Sequence, residues 1–294
     1  MLRHLSLSAI LAAGAILAWP GQPPGRLVKV YGDPATADRV AVIVPGADTT
    51  VATFDNSYRR PGGAARALRA EAARLAPGQE LAVVAWLGYD APLTVSLDVL
   101  TDGAAVEGAA ALRHTVERLH RGTTASIALL CHSYGSALCA RAVPGLPVTD
   151  LAVFGSPGLA APSAAALAGP PGPTPGTTPA TPPLPTSGAT QAGPHRPTSG
   201  GKQAAGAGSA SPLRVWAGLG GDDWVRFVPK VKIGPFGFGA DPMSGAFGAR
   251  VFETGPGGHS DYFAPGTPSL RNLALIALGR RGQVTPLTSP ILGR

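Results

Sequence analysis

Along the first half of the chain, short apolar runs alternate with longer stretches in which apolar positions recur every three or four residues. Leu27 to Tyr31 alternates, Arg39 to Val44 is a β-branched run ending at Pro45-Gly46, and Leu81 to Trp86 and Ile127 to Cys131 are almost unbroken apolar segments. These predict strands. Between them, Gly63 to Leu75 places Ala, Leu and Arg at helical spacing. Ala104 to His120 carries Ala105, Ala109, Leu112, Val116 and Leu119 on one stripe and leaves Arg113, Glu117 and Arg118 off it, so both predict amphipathic helices. A helix then follows Ser133, and Leu151 to Phe154 predicts a further strand. Strand and helix in alternation, joined by right-handed crossovers, make a mostly parallel sheet with helices on both faces.

The pattern changes at about residue 162. From there to 211 the sequence collapses to Ala, Gly, Pro, Ser and Thr, with too little large apolar surface to offset the entropy of ordering. A disordered insert over 162–211 is expected, with no internal repeat. Order resumes with a strand at Leu213 to Ala217, a last strand at Arg250 to Glu253 and a closing helix at Leu270 to Gly279. One α/β domain over 26–161 and 212–282 follows, with a tail at 283–294.

Composition adjusts this picture in three places. The net charge of +7 invites a nucleic-acid partner, but the arginines are spread over several elements without interleaved aromatics, which predicts a solvated basic surface and no nucleic-acid site. Residues 1–25 begin with Met1-Leu2-Arg3-His4, continue with an apolar Leu5 to Trp19 and end in a Pro/Gly linker. That is the layout of a signal peptide, so a secreted or cell-envelope location is expected; an uncleaved anchor is the alternative, and membrane association would run through this leader only. The two cysteines, Cys131 and Cys139, fall at a strand end and in the second turn of the next helix and are expected to be free buried thiols.

No cofactor or metal is expected. Paired Cys or His at ligand spacing is missing from the sequence, and the Gly-rich stretch Gly234-Pro235-Phe236-Gly237-Phe238-Gly239 is too aromatic for a phosphate loop and predicts a surface loop.

The chemistry converges on Ser133. Cys131-His132-Ser133-Tyr134-Gly135 stands between a predicted strand and helix and resembles the G-x-S-x-G nucleophile elbow of α/β-hydrolases, with Cys131 in place of the first glycine. A serine nucleophile needs a base, itself oriented by a third group. Of six histidines, His4 lies in the leader, His195 in the insert, His114 and His120 on or near the end of a helix, and His132 should point away from its neighbour Ser133. His259 remains, just past the last strand. The fold's chain order of Ser, acid, His points to Asp222 or Asp223; Asp223 is preferred, because Trp224-Val225 should draw it inward. Backbone donors to a tetrahedral oxyanion should come from Tyr134 and from Ala47 or its neighbour Asp48.

Five segments together resemble actinobacterial α/β-hydrolases of the DUF1023 type: Val44 to Thr50, Trp86 to Pro92, Cys131 to Ser136, Phe154 to Gly158 and Gly258 to Tyr262. The resemblance runs from about Arg39 to Gly279 apart from the insert. It implies the α/β-hydrolase fold and a serine hydrolase, and names no substrate. A small-molecule ester, cleaved through an acyl-enzyme, is the expected substrate. A non-catalytic cell-envelope module of the same fold, or a thioesterase or peptidase with the same residues, is the alternative.

Overall fold

The computed structural model describes residues 16–18, 25–169 and 212–288. Its core is an eight-stranded sheet in the order β1-β2-β4-β3-β5-β6-β7-β10. The strands are β1 (Ile16–Ala18), β2 (Leu27–Tyr31), β3 (Arg39–Val44), β4 (Leu81–Leu87), β5 (Ser126–His132), β6 (Val148–Phe154), β7 (Arg214–Gly218) and the short β10 (Arg250–Val251). From β4 to β10 every neighbour is parallel, whereas β2 runs antiparallel to β4 and β1 antiparallel to β2. The central strands are buried on both faces, as in Val40 to Val44 and Ile127 to Cys131, which is why they read as continuous apolar runs.

The helices are α1 (Pro61–Leu75), α2 (Gly103–Gly122), α3 (Tyr134–Ala142), α4 (Ala164–Ala168) and α5 (Pro268–Ala277). Helix α2 buries Ala105, Ala109, Leu112, Val116 and Leu119, the stripe read from the sequence, while His114 and His120 are exposed. Helices α1 and α5 pack against each other on the sheet, and α2 packs on α3. Among the described residues no helix is long and apolar enough to cross a membrane.

Several boundaries differ from expectation. The chain does not lose structure at residue 162: Ala164–Ala168 is a helical turn, capped by the Ser163 hydroxyl accepting from the Ala166 N–H and anchored by buried Leu167. The rest of the expected insert, 170–211, lies outside the described residues, as does most of the expected leader; its residues 16–18 are the edge strand β1. The tail is integrated as far as residue 288, since the Leu287 N–H donates to the Val251 carbonyl and Phe252 bridges Pro286. The Gly-rich loop holds a hairpin, β8 (Lys232–Ile233) and β9 (Phe236–Gly237).

The largest correction concerns the cysteines. Cys131 and Cys139 form a disulfide, with Cα atoms 6.5 Å apart. The turn at Ser133 reverses the chain so sharply that α3 runs back alongside β5, and a residue in the helix's second turn returns to the strand end within disulfide reach.

Candidate active site

Ser133 occupies the turn between β5 and α3 with φ 51° and ψ −127°, a left-handed conformation rarely adopted by a residue with a side chain. Packing holds it there. Its N–H donates to the Phe154 carbonyl at 3.0 Å, and the Ser136 hydroxyl donates to its carbonyl at 2.5 Å. Gly46, at the end of β3, lies so close that a Cβ there would sit 2.6 Å from the Ser133 Cβ. The cysteine at position 131 takes no room from the turn: its side chain is buried under the sheet edge in the disulfide.

His259 and Asp223 arrive from the far side of the sheet. Asp223 caps the 3₁₀ turn Trp224–Phe227 that follows β7, with one carboxylate oxygen accepting from the Val225 N–H at 2.8 Å. It is fully buried, whereas Asp222 is exposed. The His259 Nδ1 lies 2.9 and 3.0 Å from the two Asp223 oxygens, and its Nε2 lies 2.8 Å from the Ser133 Oγ. Tyr262 donates its hydroxyl to the Asp223 Oδ2 at 2.5 Å and accepts from the Gly220 N–H at 3.0 Å. Gly155, at φ +56°, fits beneath this cluster; a Cβ there would meet the Asp223 Oδ2 at 2.9 Å.

Electrostatics fix the protons. Burial pushes the Asp223 carboxyl up, but the hydrogen bond and charge of His259, with the bonds from Tyr262 and the Val225 N–H, outweigh it and hold the group below the usual carboxylate value of 3.8. An ionised Asp223 only accepts, so the His259 Nδ1 donates to it, and Nε2 is the ring nitrogen turned to the serine hydroxyl. Burial, with the neighbouring Asp223, raises the Tyr262 hydroxyl well above 10.0, keeping it a donor.

His132 is closer to this arrangement than its sequence position suggested. Its Nε2 lies 2.6 Å from the His259 carbonyl oxygen, and its ring packs between Phe154, Tyr262 and the His259 ring. A carbonyl only accepts, so the Nε2 is protonated. Burial, then the charge of His259, lowers the ring's pKa from 6.5 to about 3, so it is a neutral donor that fixes the His259 backbone. The sequence signal was the His-Ser pair itself: strand β5 reaches His132, and alternation sends its side chain to the opposite face from Cys131.

Tyr134 opens α3, so among the described residues its N–H is without a partner at the helix N-terminus, beside Ser133. Its side chain reaches away, donating to the Thr101 carbonyl at 2.9 Å and accepting from the Ala105 N–H at 3.2 Å. Of the two candidate donors after β3, the Asp48 N–H is engaged by the Pro92 carbonyl at 3.0 Å. Among the described residues, Ala47's N–H has no such partner. Asp48 has φ 57°, and its carboxylate accepts from the Thr94 N–H and hydroxyl at 2.9 and 2.5 Å, pinning this loop to the one after β4.

Ala47, Asp48, His132, Ser133, Tyr134 and His259 are among the residues lining a cavity of about 310 Å³, at the small end for ligand sites. Trp224 stands over His259 with ring centroids 4.8 Å apart. Among the described residues no cluster of His, Cys, Asp or Glu could hold a metal ion.

A family model described as alpha/beta hydrolase matches residues 21–172, just over half of the chain. The chain belongs to this alpha/beta hydrolase family. The matched part of the chain holds Ala47 and Ser133; Asp223 and His259 lie beyond it. The chain is 29% identical over 279 residues to the uncharacterized protein Rv2079 of Mycobacterium tuberculosis, a match covering 87% of this chain and 37% of that protein. It is 36% identical over 176 residues to Rv0963c, an uncharacterized protein of the same species, covering 57% and 66%. The chain thus spans well under half the length of the first of these relatives. Among solved structures it is similar to esterase PE8, with a TM-score of 0.43 and 17% identity over 82% of this chain and 91% of that one. It is also similar to a serine hydrolase without lid from Xanthomonas campestris, with a TM-score of 0.41 and 12% identity over 93% and 97%.

Proposed function

We propose that this hydrolase cleaves a carboxylic ester through an acyl-enzyme on Ser133. The observation that carries the reading is the unbroken line of hydrogen bonds from the Ser133 Oγ through His259 to Asp223, with the serine on a strained turn open to the cavity. In the first half-reaction Oγ attacks the ester carbonyl carbon while its proton passes to the His259 Nε2. The negative charge that develops on the carbonyl oxygen is met by the N–H groups of Tyr134 and Ala47. Collapse expels the alcohol, which takes the proton from His259. Water then repeats the sequence on the acyl-enzyme, releasing the acid and restoring Ser133. Asp223 remains ionised throughout and stabilises the transient imidazolium.

A location outside the reducing cytosol belongs to the same reading, and the Cys131–Cys139 disulfide supports it.

A fluorophosphonate probe tests the chemistry. Wild-type protein should label covalently and hydrolyse p-nitrophenyl butyrate; Ser133→Ala should abolish both, and His259→Ala should lower both by about 10³-fold or more. Folded wild-type protein that neither labels nor turns over the ester would refute the reading.

A further inference from the structure

The charged groups lining the cavity are unevenly paired. Arg59 is matched by Asp261, with Nη2 2.9 Å from the carboxylate. The Asp48 carboxylate is occupied by Thr94. Arg60, by contrast, makes one side-chain hydrogen bond, from Nη1 to the Asp48 carbonyl oxygen at 2.7 Å, and among the described residues has no carboxylate partner. It is only partly exposed and shares the cavity wall with Ser133 and His259. Its charge is near enough to oppose protonation of His132.

That one bond also sets where the guanidinium sits. It ties Arg60 to the Asp48 carbonyl, next in the chain to the Ala47 N–H, on the wall of the cavity that Ser133 also lines. Other parts of the wall are apolar, formed by Val99, Leu100, Trp224 and Phe238 among others. A cavity wall that carries a guanidinium bonded to no carboxylate, beside an apolar side, suits a ligand with an anion on one part and a hydrophobic group on another, because a guanidinium forms paired, charge-assisted bonds to oxyanions.

We propose that Arg60 anchors an anionic group of the substrate, so that the preferred ester carries a carboxylate or phosphate-type anion a few atoms from the scissile carbonyl. This rests on the reading of Ser133 as the nucleophile. It adds a specificity residue to that reading and a substrate class.

Two substrate arms test it, one for each side of the ester. On the acyl side, the p-nitrophenyl esters of succinic acid and of 3-phosphonopropionic acid are compared with that of butyric acid. On the alcohol side, 4-carboxyphenyl acetate is compared with phenyl acetate. In at least one arm kcat/KM for an anionic ester should exceed that for the neutral one about tenfold or more at low salt. The ratio should fall toward one in Arg60→Gln, recover in part in Arg60→Lys and shrink in 0.5 M NaCl, roughly three times the physiological ionic strength. The comparison between the carboxylate and phosphonate acyl esters tells which anion fits. A role for Arg60 only in bracing the Asp48 loop would lower all esters alike and leave the ratio unchanged, and that outcome would overturn the proposal.

Failure of the underlying chemistry reads differently. If wild type neither labels nor cleaves any ester, the contact is measured without turnover, by calorimetric binding of monomethyl succinate to Ser133→Ala protein. Binding that disappears in Ser133→Ala/Arg60→Gln supports the anion site, and binding that is absent or equal in both sinks it.

Discussion

At the scale of single residues, His132 shows how little a sequence says about direction. Its neighbour in the chain is the serine, yet its side chain serves the backbone of His259, across 127 positions. Neutrality is what lets it do so, and neutrality has a thermodynamic signature. The folded protein holds this ring near pKa 3, against 6.5 as its ordinary value. Between those values the unfolded chain binds a proton that the folded one refuses, so the ring's contribution to stability is complete above pH 6.5 and is lost as the pH falls toward 3. At most one proton is involved, a slope of up to about 1.4 kcal/mol per pH unit. Urea unfolding across this range should therefore show a shallower pH dependence in His132→Gln than in wild type, by up to one proton; identical slopes would mean that the ring protonates in place. Asp223 follows the opposite route to a legible answer. The apolar Trp224-Val225 after it predicted an inward carboxylate; Val225 is buried but Trp224 is exposed, and the 3₁₀ turn that those residues enter turns Asp223 into its buried cap and leaves Asp222 in solvent.

At the scale of elements, hydrophobic pattern was a good guide wherever both faces of an element are decided by the core. Strands β2 and β3 match their readings residue for residue, and α2 buries its whole predicted stripe together with Gly108 and Thr115. Contacts between elements were harder to read, because they depend on how the chain turns between them. Direction in β2 is one case: an alternating strand looks the same whether it pairs parallel or antiparallel. The disulfide is another. Spacing of eight residues would place two cysteines far apart on a straight path, and only the reversal at Ser133 brings them together. This bond fastens both sides of the elbow. Closing so short a loop should stabilise the fold by about 2.5 kcal/mol. The double variant Cys131→Ser/Cys139→Ser should lose about that amount in urea unfolding and label more slowly with the fluorophosphonate, since the strained serine relies on the same turn. Equal stability and labelling would show that packing alone holds the elbow.

At the scale of the whole molecule, the candidate site is assembled from chain on either side of residues 170–211. Residues 25–169 supply Ala47, Arg60, Ser133 and Tyr134; residues 212–288 supply Asp223, His259 and Tyr262. Five register pairs join β6 to β7, and α5 packs on α1, β5 and β6. Arg281 from the second part reaches the buried Asp150 of the first at 2.8 Å, where Arg39 and the Trp216 indole also converge. Across the cavity, Arg59 of the first part pairs with Asp261 of the second. The seam between β6 and β7 is thus crossed by sheet hydrogen bonds, helix packing and ion pairs at both ends of the strands. These contacts join the part that carries Ser133 to the part that carries His259. The fold can therefore be regarded as a heterodimer that happens to be written on one chain. A protease site engineered near residue 190 and cut after folding should yield two fragments that elute together and still label at Ser133. Fragments that separate under native conditions would show that the junction, and not the seam, holds the nucleophile to its base.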